Sequence, residues 1–248
     1  MGMNGNADPC RTYAVAPSSD SGFQRFGMIT LKPSSSPVIL SSKKPQQMDI
    51  FIPAMLVAIC AFMLQAKCQR KRVALLASHL EKFQIEKLME SLTQGYMRAL
   101  GEADIGRREQ IWSLLTTTET ALCDQLDRFS AGFSSVDEAD ARVSKFVLTL
   151  PYADRLFPAT TFDLRKALTI HAQGVANAAK NLDTKSAKSK AFTVSAELFL
   201  MQHTCHWFCK SKAVASARML ARHQTSYEQL IASVASETRK AYCSLTER

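Results

Sequence analysis

Glycine and proline are scarce in this chain, with nine and eight residues among 248. β-Sandwiches need a turn roughly every 8 to 12 residues, and their turns depend on these two residue types. The sequence also lacks the glycine-rich phosphate loops, the Gly-x-Ser-x-Gly elbow and the His-Glu-x-x-His zinc motif. These absences disfavour an all-β fold and the common nucleotide-binding and hydrolase classes, and they predict an all-α protein.

Paired cysteines are lacking as well. The seven cysteines are odd in number and scattered, at positions 10, 60, 68, 123, 205, 209 and 243, without the spacing of a disulfide framework. Such a pattern predicts free thiols in a reducing compartment.

Acidic residues are outnumbered by basic ones, 22 against 31, which gives a net charge of +9. Residues 101–150 are the exception, with nine acidic and five basic residues, so the basic flanks could pack against an acidic middle. A basic chain favours anionic partners such as phospholipid headgroups. A nucleic-acid partner is disfavoured, because basic and aromatic residues do not alternate and zinc-finger spacing is absent.

One run has no charge at all. Residues 50–66, IFIPAMLVAICAFMLQA, are 17 consecutive residues of which only Gln65 is strongly polar. As a helix they would extend about 25 Å at 1.5 Å per residue, and the hydrocarbon core of a bilayer is roughly 30 Å thick. The run therefore predicts a transmembrane anchor over residues 48–66.

Basic residues follow the run directly. Positive charge near a membrane segment is retained on the cytoplasmic side, so residues 67–248 are expected to be a cytoplasmic domain on the cell membrane, inner or plasma. The basic residues are Lys67, Arg70, Lys71 and Arg72.

Two other interpretations of the run remain. A cleaved signal peptide carries its positive charge before the apolar core and small residues after it, the reverse of the order found here. A core helix of a soluble domain is the second, although this run is apolar on every face and adjoins a dense basic cluster.

Residues 1–47 contain five of the eight prolines and a serine-rich stretch without helical periodicity. They are expected to be a disordered leader. Because a chain that started at Met48 would carry only two residues before the apolar run, the leader is interpreted as a dispensable tail or as an artefact of start-site choice.

Apolar stripes predict a helical bundle after the anchor. Without Gly or Pro between Pro53 and Gly95, the anchor is expected to continue as one long helix. A second stripe from Ile111 to Phe133 predicts an antiparallel partner helix.

Further helix boundaries follow from capping residues. Helix starts are expected at Thr161 and at capping boxes beginning at Ser135 and Thr225. Residues 183–190 are expected to be a linker, and a central helix to run from about Phe192 to Lys210 and on toward Arg222.

Ligand-type residues cluster only in the segment 202–209, QHTCHWFC. On a helix, Cys205 and Cys209 share a face while His203 points about 160° away from Cys205. Buried packing is therefore favoured, and no catalytic, cofactor-binding or metal-binding residue is assigned. Glu197, inside the same apolar stretch, is expected to need a Lys or Arg partner.

A membrane-tethered enzyme or a metal or redox sensor is the alternative function. It would use Cys205, His206 and Cys209 together with a distant histidine such as His171 or His79, because tetrahedral zinc needs four ligands.

A basic run next to this segment predicts contact with anionic lipid headgroups. A cationic amphipathic surface tethered near a bilayer would bind them, and an ordinary solvated face is the alternative. The run comprises Lys210, Lys212, Arg218 and Arg222, with Met219 and Leu220 between them.

Together these patterns predict an all-α, single-pass membrane protein in which a transmembrane helix continues into a cytoplasmic helical bundle. Its expected role is that of a scaffold or interaction module without a cofactor. The expected partners are the lipid bilayer and either another protein or a second copy of the chain.

Overall fold

The computed structural model describes residues 46–147, 152, 156–180 and 186–247. Within them the chain is mostly helical, which confirms the all-α prediction, and a small antiparallel sheet is present. The predicted leader lies outside the described residues, apart from Gln46 and Gln47, which begin the first helix. In chain order the elements are α1 (Gln46–Leu80), α2 (Ile85–Gly101), α3 (Ile105–Phe133), α4 (Glu138–Ala141), β1 (Arg142–Ser144), a 3-10 helix (Pro158–Thr160), β2 (Thr161–Asp163), α5 (Leu164–Lys180), α6 (Ala187–Cys209), α7 (Lys212–His223), α8 (Tyr227–Ser233) and α9 (Ser236–Thr246).

Backbone packing divides the chain into two units, residues 1–60 and 61–248. The described part of the first unit is the amino-terminal portion of α1. The second unit contains every other element and two clusters of buried apolar side chains.

The prediction of one uninterrupted helix up to Gly95 is wrong. Helix α1 ends at Leu80, and a turn precedes α2 although the sequence there contains neither Gly nor Pro. Packing explains the break. The Phe83 ring lies edge-on to Phe129 at 6.2 Å, and the backbone N–H of Gln84 donates to Gln125 Oε1 at 2.7 Å. Such tertiary contacts override local helix propensity.

The predicted antiparallel partner of this segment is confirmed as α3, which packs against α2 after a short connection. The apolar stripe of α3 faces the core, where Trp112 packs against Tyr96 of α2 and Phe129 packs against Phe83 of the preceding turn. Its buried members are Leu115, Leu122, Leu126, Phe129 and Phe133.

Helix α6 is the central helix of the second unit, as its apolar character on all faces predicts. Leu198 and Phe208 belong to one buried cluster and Leu200 to the other. Its bounds differ from the prediction. It begins at Ala187, so residues 187–190 of the predicted linker are helical, and it stops at Cys209 instead of continuing toward Arg222.

Serine capping separates α6 from α7. The Ser211 hydroxyl accepts a hydrogen bond from the backbone N–H of Val214 at 3.2 Å. Ser competes with helix continuation by satisfying such exposed N–H groups, so a new helix begins here.

The first predicted capping box does not form at α4, and the second is displaced. Ser135 instead donates to the carbonyl of Gly132 at the end of α3, and Asp137 is the residue that precedes α4. The second box is formed by Ser226 and Gln229, one residue later than predicted.

The small sheet was not predicted, and Thr161 opens β2 instead of a helix. Val143 of β1 lies opposite Phe162 of β2, and both side chains are buried. The Trp207 indole N–H donates to the Ser144 carbonyl at 2.9 Å, which attaches the sheet to α6. Strands of three residues are too short to show an alternating pattern.

Candidate functional site

The apolar run lies within α1, and this helix is long and apolar enough to cross a membrane, with a mean hydropathy of 1.9 over an 18-residue window. Its side chains are exposed: Val57 is 69% and Phe62 is 74% accessible. A core helix buries its apolar side chains, so the soluble-core interpretation of this run does not fit the structure.

The basic residues that follow the run differ in their surroundings. Lys67 and Arg70 are exposed. Lys71 forms an exposed ion pair with Asp140 at 2.8 Å. Arg72 is half-buried, and its guanidinium donates to the carbonyls of Phe208 and Arg142 at 3.3 and 3.2 Å. Arg72 therefore also holds the second unit's own part of α1, residues 61–80, to that unit's core, a role that sequence alone did not reveal.

The cysteines and histidines singled out from the sequence do not form a common site. Among residues 46–147, 152, 156–180 and 186–247, no group of three or more His, Cys, Asp or Glu side chains is arranged to hold a metal ion. Cys205 and Cys209 pack against the apolar cluster, whereas His171 Nε2 hydrogen-bonds to Thr204 Oγ1 at 2.9 Å.

Burial also makes both thiols poor nucleophiles. Loss of hydration raises the pKa of Cys205 to about 12 and raises the pKa of Cys209 above its ordinary value. The thiolate is the form that reacts and that binds metals, so neither sulfur is activated at neutral pH.

The predicted basic surface is divided between two places. Lys210 donates to Gln69 at 2.9 Å, and the Lys212 ammonium lies 4.4 Å from the centre of the Tyr227 ring. Arg218 and Arg222 instead line a cleft of about 330 Å³ between α6 and α7, with buried Met219 beneath them.

A polar network crosses the interior between α5, α6 and α9. The hydroxyl of Thr204 lies 2.9 Å from His171 Nε2 and 2.8 Å from the Tyr242 hydroxyl, and all three side chains are fully buried. Desolvation lowers the pKa of His171 to about 3, so its imidazole is neutral at pH 7. His171 is therefore a hydrogen-bonded core histidine.

A second buried histidine lies nearby on α6. His203 Nε2 is 3.1 Å from Ser216 Oγ, and its ring is tilted over Tyr227 with centroids 4.7 Å apart. Desolvation, followed by the positive charge of Lys212, lowers the pKa of His203 to about 3.

Glu197 is fully buried beside Gly174. Its Oε1 atom accepts a hydrogen bond from the backbone N–H of Ala235 at 3.0 Å, at the start of α9. A Cβ atom added to Gly174 would lie 2.6 Å from Glu197 Oε2 and 2.5 Å from Thr238 Oγ1. The missing side chain at position 174 is thus what allows α5 to approach the carboxylate so closely.

Replacing Gly174 with alanine should therefore destabilise the protein. The new methyl would displace a buried carboxylate, and such overpacking costs about 1–3 kcal/mol. Gly132→Ala is the matched control, because nothing lies within 4 Å of a Cβ at this exposed helical position; it should add about 0.5–1 kcal/mol. Urea unfolding followed by tryptophan fluorescence measures both, and equal free energies of unfolding for the two variants would contradict the assignment.

Sequence reasoning missed a buried ionic cluster on α2, α3 and α6. The Tyr96 hydroxyl donates to Glu119 Oε1 at 2.6 Å, and Lys190 pairs with Glu119 Oε2. Burial and the neighbouring carboxylate raise the pKa of Tyr96 well above its usual range. A signal was available, because Glu119 falls in the same helical register as Leu115, Leu122 and Leu126.

A groove of about 790 Å³ opens beside this cluster, between α2, α6 and the end of α7. Met97 and Phe192 line the groove, and both side chains are strongly exposed. The rings of Phe199 and His223, which also line it, are stacked with their centroids 4.0 Å apart. Its lining combines apolar side chains with many hydroxyl groups and Lys188, and ligand-binding grooves likewise place polar groups among apolar side chains.

No protein-family model, curated protein or solved structure matches this chain.

Proposed function

We propose that this protein is a single-pass membrane protein whose helical unit acts as a scaffold or interaction module on the cytoplasmic face of the cell membrane. One observation carries the proposal: α1 contains an uncharged, exposed apolar run followed by Lys67 and Arg70. Exposed apolar side chains on every face of a helix are favourable in hydrocarbon and unfavourable in water. The basic residues after the run favour a cytoplasmic second unit.

The interaction role is supported by the second unit itself. It is a helical bundle that exposes a groove, and its two fully buried histidines, His171 and His203, are hydrogen-bonded within the core. Exposed apolar side chains at a groove are typical of surfaces that bind partners. Elemental analysis of the purified chain for zinc, iron and copper tests the alternative role of a metal sensor.

Membrane extraction tests the anchor. The full chain should stay with washed membranes in high salt and in alkaline carbonate. A Val57→Lys/Ile59→Lys variant should be released, because each lysine near the bilayer centre disfavours insertion by about 2.5–3.5 kcal/mol. Both side chains are exposed, so the substitutions remove no packing.

Val73→Lys is the matched control, since Val73 is also exposed on α1 but lies beyond the basic cluster. This variant should remain in the membrane. Release of the unaltered chain by carbonate would contradict the anchor, and a mature chain that begins after residue 66 would favour a cleaved signal peptide.

Protease shaving of sealed cells tests the orientation. The second unit should be cut only after the membrane is permeabilised. Digestion in intact cells would contradict a cytoplasmic location while leaving the anchor itself in place.

A further inference from the structure

Two neighbouring helices present polar side chains to one cleft. Gln202 and His206 are one turn apart on α6, and Arg218 and Arg222 are one turn apart on α7. Residues four apart lie on the same face of a helix. All four line the cleft of about 330 Å³ described above, together with His223 at the end of α7.

The charge of this cleft is not balanced by acidic groups. Within the described part of the chain, neither Arg218 nor Arg222 forms an ion pair, and both are exposed. Burial, followed by the nearby guanidinium groups of Arg218 and Arg222, lowers the pKa of His206. The carboxylate of Glu86, exposed on α2, acts in the opposite direction but is the weakest of these influences. The net field at the cleft is positive.

Two histidine nitrogens at the cleft lack partners. His206 Nδ1 and His223 Nε2 are both buried, and the described residues provide no hydrogen-bond partner for either atom. Buried polar atoms in native proteins are nearly always paired, so these two nitrogens are available to a group that enters the cleft.

We propose that this cleft binds a phosphate group. Two guanidinium forks and one amide offer more donors than a carboxylate could accept, whereas a phosphate monoester has three strong acceptor oxygens. Arginine matches phosphate geometry with paired N–H donors. The phosphate comes from a lipid headgroup or from a soluble compound, and the test separates these sources.

Arginine modification by phenylglyoxal provides the test. The full chain is placed in phosphatidylcholine nanodiscs, and the modification rate of each arginine is read by mass spectrometry. Inorganic phosphate should slow modification of Arg218 and Arg222 but leave exposed Arg98 unchanged, whereas potassium chloride at equal ionic strength should protect none of them. Nanodiscs that contain phosphatidic acid should give the same protection without added phosphate if the headgroup is the source.

Each outcome is decisive. Protection by inorganic phosphate, by phosphatidic acid or by both supports the site and identifies the source. Absence of protection in both arms overturns it, whether or not the membrane anchor is correct, because the inorganic phosphate arm does not depend on the anchor.

A variant pair tests the residues. Arg218→Gln should raise the phosphate concentration that half-protects Arg222 about tenfold, equivalent to about 1.4 kcal/mol, whereas Arg98→Gln should leave it unchanged. Arg218 and Arg98 are both exposed, so neither substitution removes core packing. An equal half-protecting concentration in both variants overturns the proposal.

Discussion

Lowering the pH from about 7 to about 5 should remove about 4 kcal/mol from the free energy of unfolding. His171 and His203 are fully buried, and burial lowers the pKa of each from the ordinary value of 6.5 to about 3. Below pH 6.5 the unfolded chain takes up protons at both residues while the folded chain does not, so stability falls with pH until the folded groups also protonate near pH 3. Each residue contributes up to about 1.4 kcal/mol per pH unit in this window.

Urea unfolding of the full chain in nanodiscs at both pH values measures the loss. Trp112 and Trp207, the two tryptophans of the sequence, both lie in the second unit and report its unfolding. A pH near 5 is chosen because ordinary carboxylates, with pKa values of about 4, remain mostly ionised there.

Two variants show whether the histidines cause this loss. His171→Gln keeps a polar side chain beside Thr204 but cannot titrate, so the loss between the two pH values should fall to about 2 kcal/mol. Tyr242→Phe removes another partner of Thr204 and should lower stability by about 1 kcal/mol at both pH values. An undiminished acid loss in His171→Gln would show that other groups are responsible.

Replacing Lys190 with methionine should destabilise the second unit by about 3–5 kcal/mol. The side chain of Glu119 is 5% exposed and that of Lys190 is 18% exposed. Removing the ammonium leaves a buried carboxylate whose remaining partner is the neutral hydroxyl of Tyr96, and an uncompensated buried charge has a cost of this size.

Arg142→Gln is the matched control for this ion pair. Arg142 also pairs with a glutamate, Glu138, but that pair is largely exposed, and such pairs contribute about 0–1 kcal/mol. The double variant Lys190→Met/Glu119→Gln should recover part of the lost stability because it removes the charge itself. If Lys190→Met and Arg142→Gln have equal effects, the buried ion pair is not a major stabilising contact.

Helical periodicity predicted the elements whose packing is local and regular. The stripe from Ile111 to Phe133 identified α3, and the apolar faces of the segment 192–210 identified α6 as the central helix. In both, the pattern extends over many turns, so single exceptions do not hide it.

The errors occur where one distant contact decides the local structure. The turn before Ile85 has no Gly or Pro and depends on Phe129 and Gln125, which lie more than forty positions further along the chain. Likewise, the strands of the small sheet are held by each other and by Trp207. The residues near such a turn or strand do not reveal which distant residues will contact it.

Only two residues of the candidate cleft could be predicted from the sequence. Arg218 and Arg222 were identified as basic residues near a membrane, and their spacing placed them on one face. The remaining features of the cleft depend on the α6–α7 turn at Ser211. This turn places Lys212 over Tyr227 and brings His206 and Gln202 to the cleft.

The packing of Cys205 and Cys209 against the core has a chemical consequence. Because the pKa of Cys205 is raised to about 12, almost none of this thiol is in the reactive thiolate form at neutral pH. Electrophiles and oxidants therefore react with it slowly in the folded protein. Oxidation at this position is therefore slowed by the small thiolate fraction, and the apolar packing of this helix lowers its sensitivity to oxidative stress.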